Sequence, residues 1–462
     1  MKQKCALILA AGDGKRMKSR HPKVLCQVLF RPMISWVTDA CQGAGIRDLC
    51  AVLGAGAEEV SPLLPQGCAA AQQQQRLGTA HAVSCAREFL EGRRGGDVLV
   101  LCGDAPFLSS QTMAASHDCH SREGNAVTVI TARVEDPTGY GRIVRDAGGA
   151  LQAIVEQRDA SPEQLNISEI NSGAYWFSVD ALLNSLETIG CSNSQGEYYL
   201  TDAVAAVRHA GLRAGAFDAG DPLAVLGAND RRGLQRLNEI ARRRVLDSLL
   251  DQGVDIPCED GVLIDARARV GRDTRILPGT VIRGASVIGE GCTVGPGSLI
   301  EDSTVGDGCL VDNTQILSSV LEEGVKIGPY CRVRPGSRLC KGVKIGNFVE
   351  VKNSVLGEGT KSAHLTYIGD ADIGAGVNFG CGVVVVNYDG WHKHRTTVGN
   401  NVFIGCNTNL VAPVKVGDNA YTAAGSTVTR DVPPGALVIA RAPEVVKENR
   451  VELLRKKFDP QE

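Results

Sequence analysis

The chain has 462 residues and a formal net charge of −3. That length allows two or three domains with cores of their own, and the near balance of charge excludes a dedicated nucleic-acid or membrane-surface binder. No apolar run approaches the roughly 18 residues of a membrane span, and 54 glycines against 4% aromatics point to a turn-rich or solenoid portion rather than a large aromatic core.

Cys5–Ala10 reads as a first strand. Lys2 and Lys4 ahead of it imitate the start of a signal peptide, but the apolar run is too short and charge resumes at Asp13. The strand runs into a loop with Gly12 and Gly14, then Arg16, then Lys23 behind Pro22. Glycines let backbone N–H groups approach a phosphate closely, and an Arg and a Lys behind them neutralise its charge. The loop is not a P-loop, which ends in G-K-[ST]. Further strands are expected at Leu49–Leu53, Val98–Cys102, Val127–Thr131 and Tyr175–Val179, with helical stretches at Met33–Cys41 and Thr79–Glu91. This alternation predicts an α/β domain with a largely parallel sheet, whose ligands bind beyond the carboxyl ends of the strands. The Gly loop and Gly103-Asp104 both fall at those ends, where a carboxylate facing a phosphate loop suits Mg²⁺. In QQQQRLGTAHA (Gln72–Ala82), a Gly-Thr entering a helix offers an approach to a base and its phosphates. His117, Asp118, Cys119 and His120, and likewise His392 and His394, are metal-type residues without matched partners, and they read as polar surface.

From Asn229 to Gly253, Leu234, Leu237, Ala241, Val245 and Leu249 recur every three or four residues, which predicts one amphipathic helix joining two domains. Beyond it the chain repeats every six residues: Val270, Ile276, Ile282, Ile288, Val294 and Ile300, then Ile327 to Val351, then Ile373 to Val385, then Val398 to Val428. Neither a helix nor an alternating strand has that period. Short strands broken by tight turns do, with one inward aliphatic side chain per hexad. Two breaks are expected: Thr360–Asp370 as an interrupted coil, and Asn387–Thr397 as an insertion of binding character. His364 lies in the first, with Arg334 and Lys352 within two coils. A phosphorylated amino sugar needs such cations for its phosphate and a base of histidine type for its amine.

Several stretches carry a family resemblance. Leu9, Gly12, Gly14, Arg16, Met17, Pro22 and Lys23 resemble the opening motif of the sugar-1-phosphate nucleotidyltransferases, with Lys15 in place of the usual Thr. CGDAPF resembles that family's metal-binding G-D-x-P. LGTAHA, PTGYGR, Val155-Glu156, Asn171-Ser172-Gly173 and GEYYLTD resemble its base- and sugar-binding segments. From about residue 4 to residue 443 the chain resembles the bacterial bifunctional N-acetylglucosamine-1-phosphate uridylyltransferases / glucosamine-1-phosphate N-acetyltransferases. The resemblance implies an α/β nucleotidyltransferase domain, Rossmann-like with a mostly parallel sheet (1–229), a linker helix (230–253), a left-handed parallel β-helix of hexapeptide repeats (254–440) and a tail (441–462). It implies that Leu9, Ala10, Ala11, Gly12 and Lys23 bind UTP and that Arg16 and Lys23 act on its phosphates. Gln73, Gly78 and Thr79 would contact uracil, an Arg standing at position 76 where the family usually has Gln. Gly141, Glu156 and Asn171 would hold the sugar, with Glu197 near it, and Asp104 and Asn229 would hold Mg²⁺. In the repeat domain His364 would be the general base. Arg334, Lys352, Tyr367, Asn378 and Lys393 would hold the amino-sugar phosphate, and Cys381, Asn387, Tyr388, Cys406, Ala424 and Arg441 would lie along acetyl-CoA. Cys381 and Cys406 are departures from the family pattern. A homotrimer making UDP-N-acetylglucosamine for envelope polymers is implied.

Sixteen evenly spread cysteines without a C-x-x-C fit reduced thiols in the cytoplasm. Three other readings stay open: a uridylyltransferase whose solenoid is only a scaffold, a non-catalytic regulator related to nucleotidyltransferases, and an adenylyl- or guanylyltransferase. Intact Arg16, Lys23, Asp104 and Asn229 speak against the second. GEYYLTD and His364 with its cations speak against the third.

Overall fold

The computed structural model describes residues 2–12 and 14–458; residues 459–462 at the end of the tail, and the side chain of Lys15, lie outside the described residues. Two compact units result, Met1–Ala241 and Arg242–Glu462, and the division falls inside one helix, Arg231–Asp251.

In the first unit, β1 (Lys4–Ala10), β2 (Asp48–Leu53), β3 (Ala69–Gln72), β4 (Asp97–Cys102), β5 (Val127–Arg133), β6 (Arg142–Arg145), β7 (Leu151–Val155), β8 (Glu169–Ser178) and β9 (Ala214–Asp218) make one sheet. Its order is β9-β5-β8-β4-β1-β2-β3, with the β6–β7 hairpin hung on β8. Strands β4, β1, β2 and β3 run parallel, as do β5 and β9, while β8 runs antiparallel to both of its neighbours. Leu7, Val52 and Val100 pack on one face, and Ile8, Ala51, Leu99 and Leu101 on the other. Burial on both faces is why these strands read as continuous apolar runs.

Two elements differ from the sequence reading. The strand expected at Tyr175–Val179 is the end of the longer β8, whose polar first half contains a register shift between Asn171 and Tyr175 and so lacks an apolar pattern. The helix expected at Thr79–Glu91 breaks at Ala86 into Thr79–Cys85 and Arg87–Glu91.

At the amino end of β4, away from the carboxyl ends, Asp97 is fully buried. Lys2 Nζ donates to it at 3.2 Å, His117 Nε2 lies 3.2 Å away and His120 Nε2 3.7 Å away. The His117–His120 segment is therefore not polar surface as expected: it lies in the helix Ser110–Glu123, with Cys119 and His120 buried and the two histidines turned to Asp97. Among the described residues no group of three or more His, Cys, Asp or Glu is placed to hold a metal ion.

The second unit is a left-handed parallel β-helix of three sheets, faces 1, 2 and 3, which begin at Leu263, Arg269 and Arg275. The chain visits them in rotation, so each coil stacks on the last in parallel register. The hexad residues Val270, Ile276, Ile282 and their successors are buried in one continuous core, which Leu246 and Leu249 of the long helix join at its start. The expected break at Thr360–Asp370 is absent: Lys361–His364 and Tyr367–Gly369 pair in register with their neighbours. The apolar rhythm lapses there because the inward position holds Ser362, fully buried with its hydroxyl unpartnered. Of the insertion expected at Asn387–Thr397, residues 387–395 leave the coil, and Thr396 and Thr397 belong to the paired strand Thr396–Val398.

Burial pushes the Asp97 carboxyl up, but the bond to His117, the nearby His120 ring and the bond from Lys2 outweigh it and hold the group well below its ordinary value of 3.8. A depressed carboxyl stabilises the fold fully above its unfolded value, and the contribution fades as pH falls toward the folded value. Asp97→Asn is therefore expected to cost about 3 kcal/mol at neutral pH, typical of breaking a buried pair. The difference should shrink as pH drops below 3.8. Urea denaturation of both proteins across acid pH measures this, and a difference that ignores pH would show that the carboxylate charge is not the stabilising element.

Candidate functional sites in the two units

A cavity of about 430 Å³ opens beyond the carboxyl ends of β1 and β4. Leu9, Ala10, Ala11, Gly12, Arg16 and Lys23 line it from the first strand and the glycine loop, Gln73, Gly78 and Thr79 from the segment entering the next helix, and Asp104 and Asn229 stand beside Lys23. All the residues expected to hold UTP and metal thus meet in one place. Gly14 takes φ +56°, and a Cβ there would stand 2.8 Å from Lys23 Cβ, so the glycine lets Lys23 lie under the loop. Gly78 takes φ +114°, and its Cβ would stand 2.7 Å from Tyr198 N. Tyr198 belongs to GEYYLTD. Its N–H donates to Leu77 O at 2.7 Å and its carbonyl accepts from Ala80 N–H at 2.9 Å, so this segment pins the base-side turn from behind. Gln73 is buried and donates through Nε2 to Gly78 O at 3.2 Å. Arg76 Nε donates to Ala11 O at 2.9 Å, tying the two loops together.

Lys23 Nζ is ion-paired with Asp104 and donates to Asn229 Oδ1 at 2.8 Å. An ammonium between a carboxylate and an amide oxygen marks a cation position with hard oxygen donors. Mg²⁺ takes such donors in small number and completes its shell with water and phosphate.

Gly141, Glu156 and Asn171 gather next to one another rather than on the wall of that cavity: a Cβ on Gly141 would stand 3.4 Å from Glu156 Oε1 and 3.6 Å from Asn171 Cβ. Burial pushes the Glu156 carboxyl up, with Asp159 and Asp202 adding to the shift. Asn171 is fixed by Tyr175, its Nδ2 donating to the phenol oxygen at 2.6 Å. Cys102, a wall residue that sequence reasoning passed over, faces both groups. Burial, then Asp104, pushes its thiol up to about 12, and its Sγ would lie 3.3 Å from a Cβ on Gly173. Its place at the carboxyl end of β4 was the available signal.

In the second unit the candidate residues fall into two columns. At the corner between faces 1 and 2, Arg334 and Lys352 are register partners, and the insertion bearing Asn387, Tyr388 and Lys393 leaves from the same corner. Arg334 Nη1 donates to Glu350 Oε1 at 2.9 Å, and Lys352 Nζ to Asp370 Oδ2 at 3.1 Å. The Lys352 ammonium pulls the pKa of Lys393 down, so the two lysines form one anion-attracting group. Within the insertion, Asp389 accepts from the N–H groups of Trp391 and His392 at 2.8 and 2.6 Å and pairs with His394 at 2.7 Å, which holds its carboxyl down at about 2. At the corner between faces 3 and 1 stand Asn347 and its partner His364, then Cys381, Cys406, Ala424 and Arg441 on later coils. Cys381 O accepts from Asn407 N and Cys406 O from Gly425 N, both at 2.8 Å. The His364 side chain is exposed. Tyr367 starts the strand that joins the two corners, its phenol 3.5 Å from Asn387 Nδ2, while Asn378 lies on face 3. Sequence reasoning missed Asp370 and Glu350, whose only signal was their nearness to cationic residues.

The nucleotidyl transferase family model matches residues 5–222, and the bacterial transferase hexapeptide model (six repeats) matches 267–302, 318–353 and 395–430. A curated protein of Caldanaerobacter subterraneus, named bifunctional protein GlmU, is 49% identical over 98% of this chain and 98% of its own length. Proteins of the same name from Thermoanaerobacter pseudethanolicus and Clostridium botulinum are 48% and 46% identical, each over 96% of this chain and 97% of their own lengths.

Proposed function

This chain belongs to the family of bifunctional GlmU proteins, and on that premise we propose how its residues divide the work. It is a bifunctional enzyme of UDP-N-acetylglucosamine synthesis, a uridylyltransferase and an acetyltransferase in one chain. The reading with a merely structural solenoid is not favoured.

In the first unit, a sugar-1-phosphate oxygen attacks the α-phosphate of UTP and expels pyrophosphate. No protein nucleophile is needed. Gln73, Gly78 and Thr79 take the uracil edge, whose acceptor–donor–acceptor pattern an amide and backbone groups match. Gly141, Glu156 and Asn171 take the sugar, and Arg16 and Lys23 neutralise the phosphates. Asp104 and Asn229 would hold Mg²⁺, which supplies charge neutralisation at the phosphates when bound. Rate then comes from alignment and preorganised charge. The observation that carries this half is the Lys23 ammonium seated between Asp104 and Asn229 in the cavity wall.

In the second unit, Arg334, Lys352 and Lys393, with Tyr367 and Asn378, hold the phosphate end of glucosamine-1-phosphate. His364 takes a proton from its amine as nitrogen attacks the acetyl carbon of acetyl-CoA; the C–S bond breaks, and the proton passes on to the sulfur, so that CoA leaves as the thiol. The acetyl-CoA residues are divided: Asn387 and Tyr388 at one corner, Cys381, Cys406, Ala424 and Arg441 at the other. The strand between the corners spans on the order of 10 Å, so one edge of one solenoid offers the cofactor half its contacts. We assign the other half to a neighbouring copy in a homotrimer. Tyr330, Phe348 and Leu365, exposed on successive coils beside His364, give such a neighbour an apolar strip. The reaction is placed in the cytoplasm, where the free thiols of this chain stay reduced. Among the described residues no helix is long and apolar enough to cross a membrane.

Three experiments test this division. Asp104→Asn should lower uridylyl transfer on the order of 10²-fold or more and spare acetyl transfer; pyrophosphate release equal to wild type at saturating Mg²⁺ would sink the metal assignment. His364→Ala should lower acetyl transfer by about 10²-fold or more, as for loss of a general base, with uridylyl transfer unchanged; a loss of only a few-fold returns His364 to a structural role. For the shared site, His364→Ala and Lys393→Ala chains, whose lesions lie at different corners of the solenoid, are unfolded and refolded together. Partial recovery of acetyl transfer is expected above either mutant alone, whereas no recovery in verified mixed oligomers, or a monomer in sedimentation, counts against it.

A further inference from the structure

The corner between faces 1 and 2 is built from a column of residues in the left-handed region: Asp302 (φ +44°), Ser318 (+42°), Gly336 (+78°), Asn353 (+46°) and Asp370 (+51°). Asp and Asn tolerate this conformation because a short polar side chain bonds locally. Asp302 behaves in this ordinary way. Its N–H donates to Arg283 O at 3.3 Å, and its carboxylate accepts from Ala285 N–H at 3.1 Å. Asp370 has the same backbone bond, its N–H donating to Lys352 O at 2.9 Å, but its carboxylate does something else. Oδ2 accepts from Lys352 Nζ at 3.1 Å and from Asn387 Nδ2, and Oδ1 accepts from Asn353 Nδ2 at 2.7 Å. Asp370 is 7% exposed, and Asn387 is nearly as buried.

We propose that Asp370 is a positioning residue of the acetyltransferase site, one carboxylate that orients Lys352 for the amino-sugar phosphate and Asn387 for acetyl-CoA, and so sets the spacing of the two substrates. The proposal rests on the reading of Lys352 and Asn387 given above. Asp370 reaches neither substrate. An ammonium has three N–H donors, so Lys352 can keep its bond to Asp370 and still present two to a phosphate. The Asn387 amide, held through Nδ2 by Asp370, still has its carbonyl oxygen as an acceptor.

The charge balance points the same way. The charged and titratable groups around this carboxylate are Lys352, Lys393, Arg395 and Tyr367, with Arg334 beyond them. Lys352 and Arg334 both pull Lys393 down, and Asp370 opposes them. Burial works against charge on Lys352, yet its bond to the Asp370 carboxylate keeps its pKa above the usual value. Without the carboxylate, two ammonium groups would face each other with less to hold them protonated.

The test uses the full-length enzyme with both activities assayed. Asp370→Asn keeps the corner conformation and removes the charge. It is expected to raise KM for glucosamine-1-phosphate and for acetyl-CoA together, each by about 10-fold, the usual size of a lost charged hydrogen bond. Uridylyl transfer should not change. The alkaline limb of kcat/KM for glucosamine-1-phosphate should move to lower pH, because the lysines lose a stabilising anion; a purely structural corner would not move it. Asp302→Asn, the same change at the ordinary corner, should leave both activities at the wild-type level. If Asp370→Asn loses thermal stability, Asn353→Ala, which removes another donor from the same carboxylate, sets the structural baseline, and the proposal stands only if the rise in both KM values exceeds that baseline. Lys352→Ala separates the two levels of inference. If it spares acetyl transfer, the site reading and the role of Asp370 fall together. If it impairs acetyl transfer while Asp370→Asn leaves both KM values and the pH profile unchanged, the role of Asp370 alone is overturned.

Discussion

Parallel stacking of coils is the constraint on which the second unit depends. Each coil bonds to the next through its backbone, at the spacing of neighbouring strands, about 4.8 Å. Register then turns sequence separation into height along a column. Asn353, Asp370 and Asn387 are each 17 residues apart, and Arg334 and Lys352 are 18 apart. Residues that a linear reading treats as distant become neighbours, and any carboxylate one coil from a cation becomes its partner. The stacking has to be strict for this to work. A slip of one residue would exchange inward and outward side chains and carry Lys352 away from Asp370.

The first unit solves a different problem. It must bring several cations against a triphosphate without burying an unpaired charge. Its loop does this with backbone space rather than with repeats. Gly14 makes room for Lys23, and Gly78 for the loop segment that carries Tyr198. The ammonium of Lys23 is matched by Asp104 and Asn229 in the same wall, so the charge that would meet the nucleotide is already held in place. Preorganisation of this kind lowers the reorganisation needed when negative charge develops between the phosphates.

The degree to which each unit could be read from its residues follows from these two strategies. The hexad rhythm was plain wherever an aliphatic side chain points inward, as at Ile282, Val333 or Ile404, each fully buried. It failed at Ser362, where a buried hydroxyl keeps the coil regular while hiding it from any apolar pattern, and a coil with unbroken pairing looked like an interruption. The glycine loop was legible because its chemistry is local. The first half of β8 was not, because the Asn171–Tyr175 register shift leaves no alternation to find. Asp370 stayed unread for another reason. In sequence it is a turn residue like Asp302, and only the neighbouring coil distinguishes a carboxylate that braces a turn from one that braces two side chains.

The two strategies also differ in what each unit needs beyond itself. In the first unit, loop, base segment and metal-type residues close around one cavity, so every expected nucleotide contact comes from one chain. A solenoid has no such means of closure. Its interior is filled by its own hexads, and the candidate residues stand in columns along its corners. A cofactor as long as acetyl-CoA laid against one column stays open to water on its other side. Water there would weaken each electrostatic contact to the reacting amine and thioester. Under the division proposed above, a neighbouring copy supplies the second surface for chemistry at this edge. The exposed Tyr330 and Phe348 rings, stacked 5.4 Å apart beside the His364 column, are the apolar part of this edge best suited to receive one.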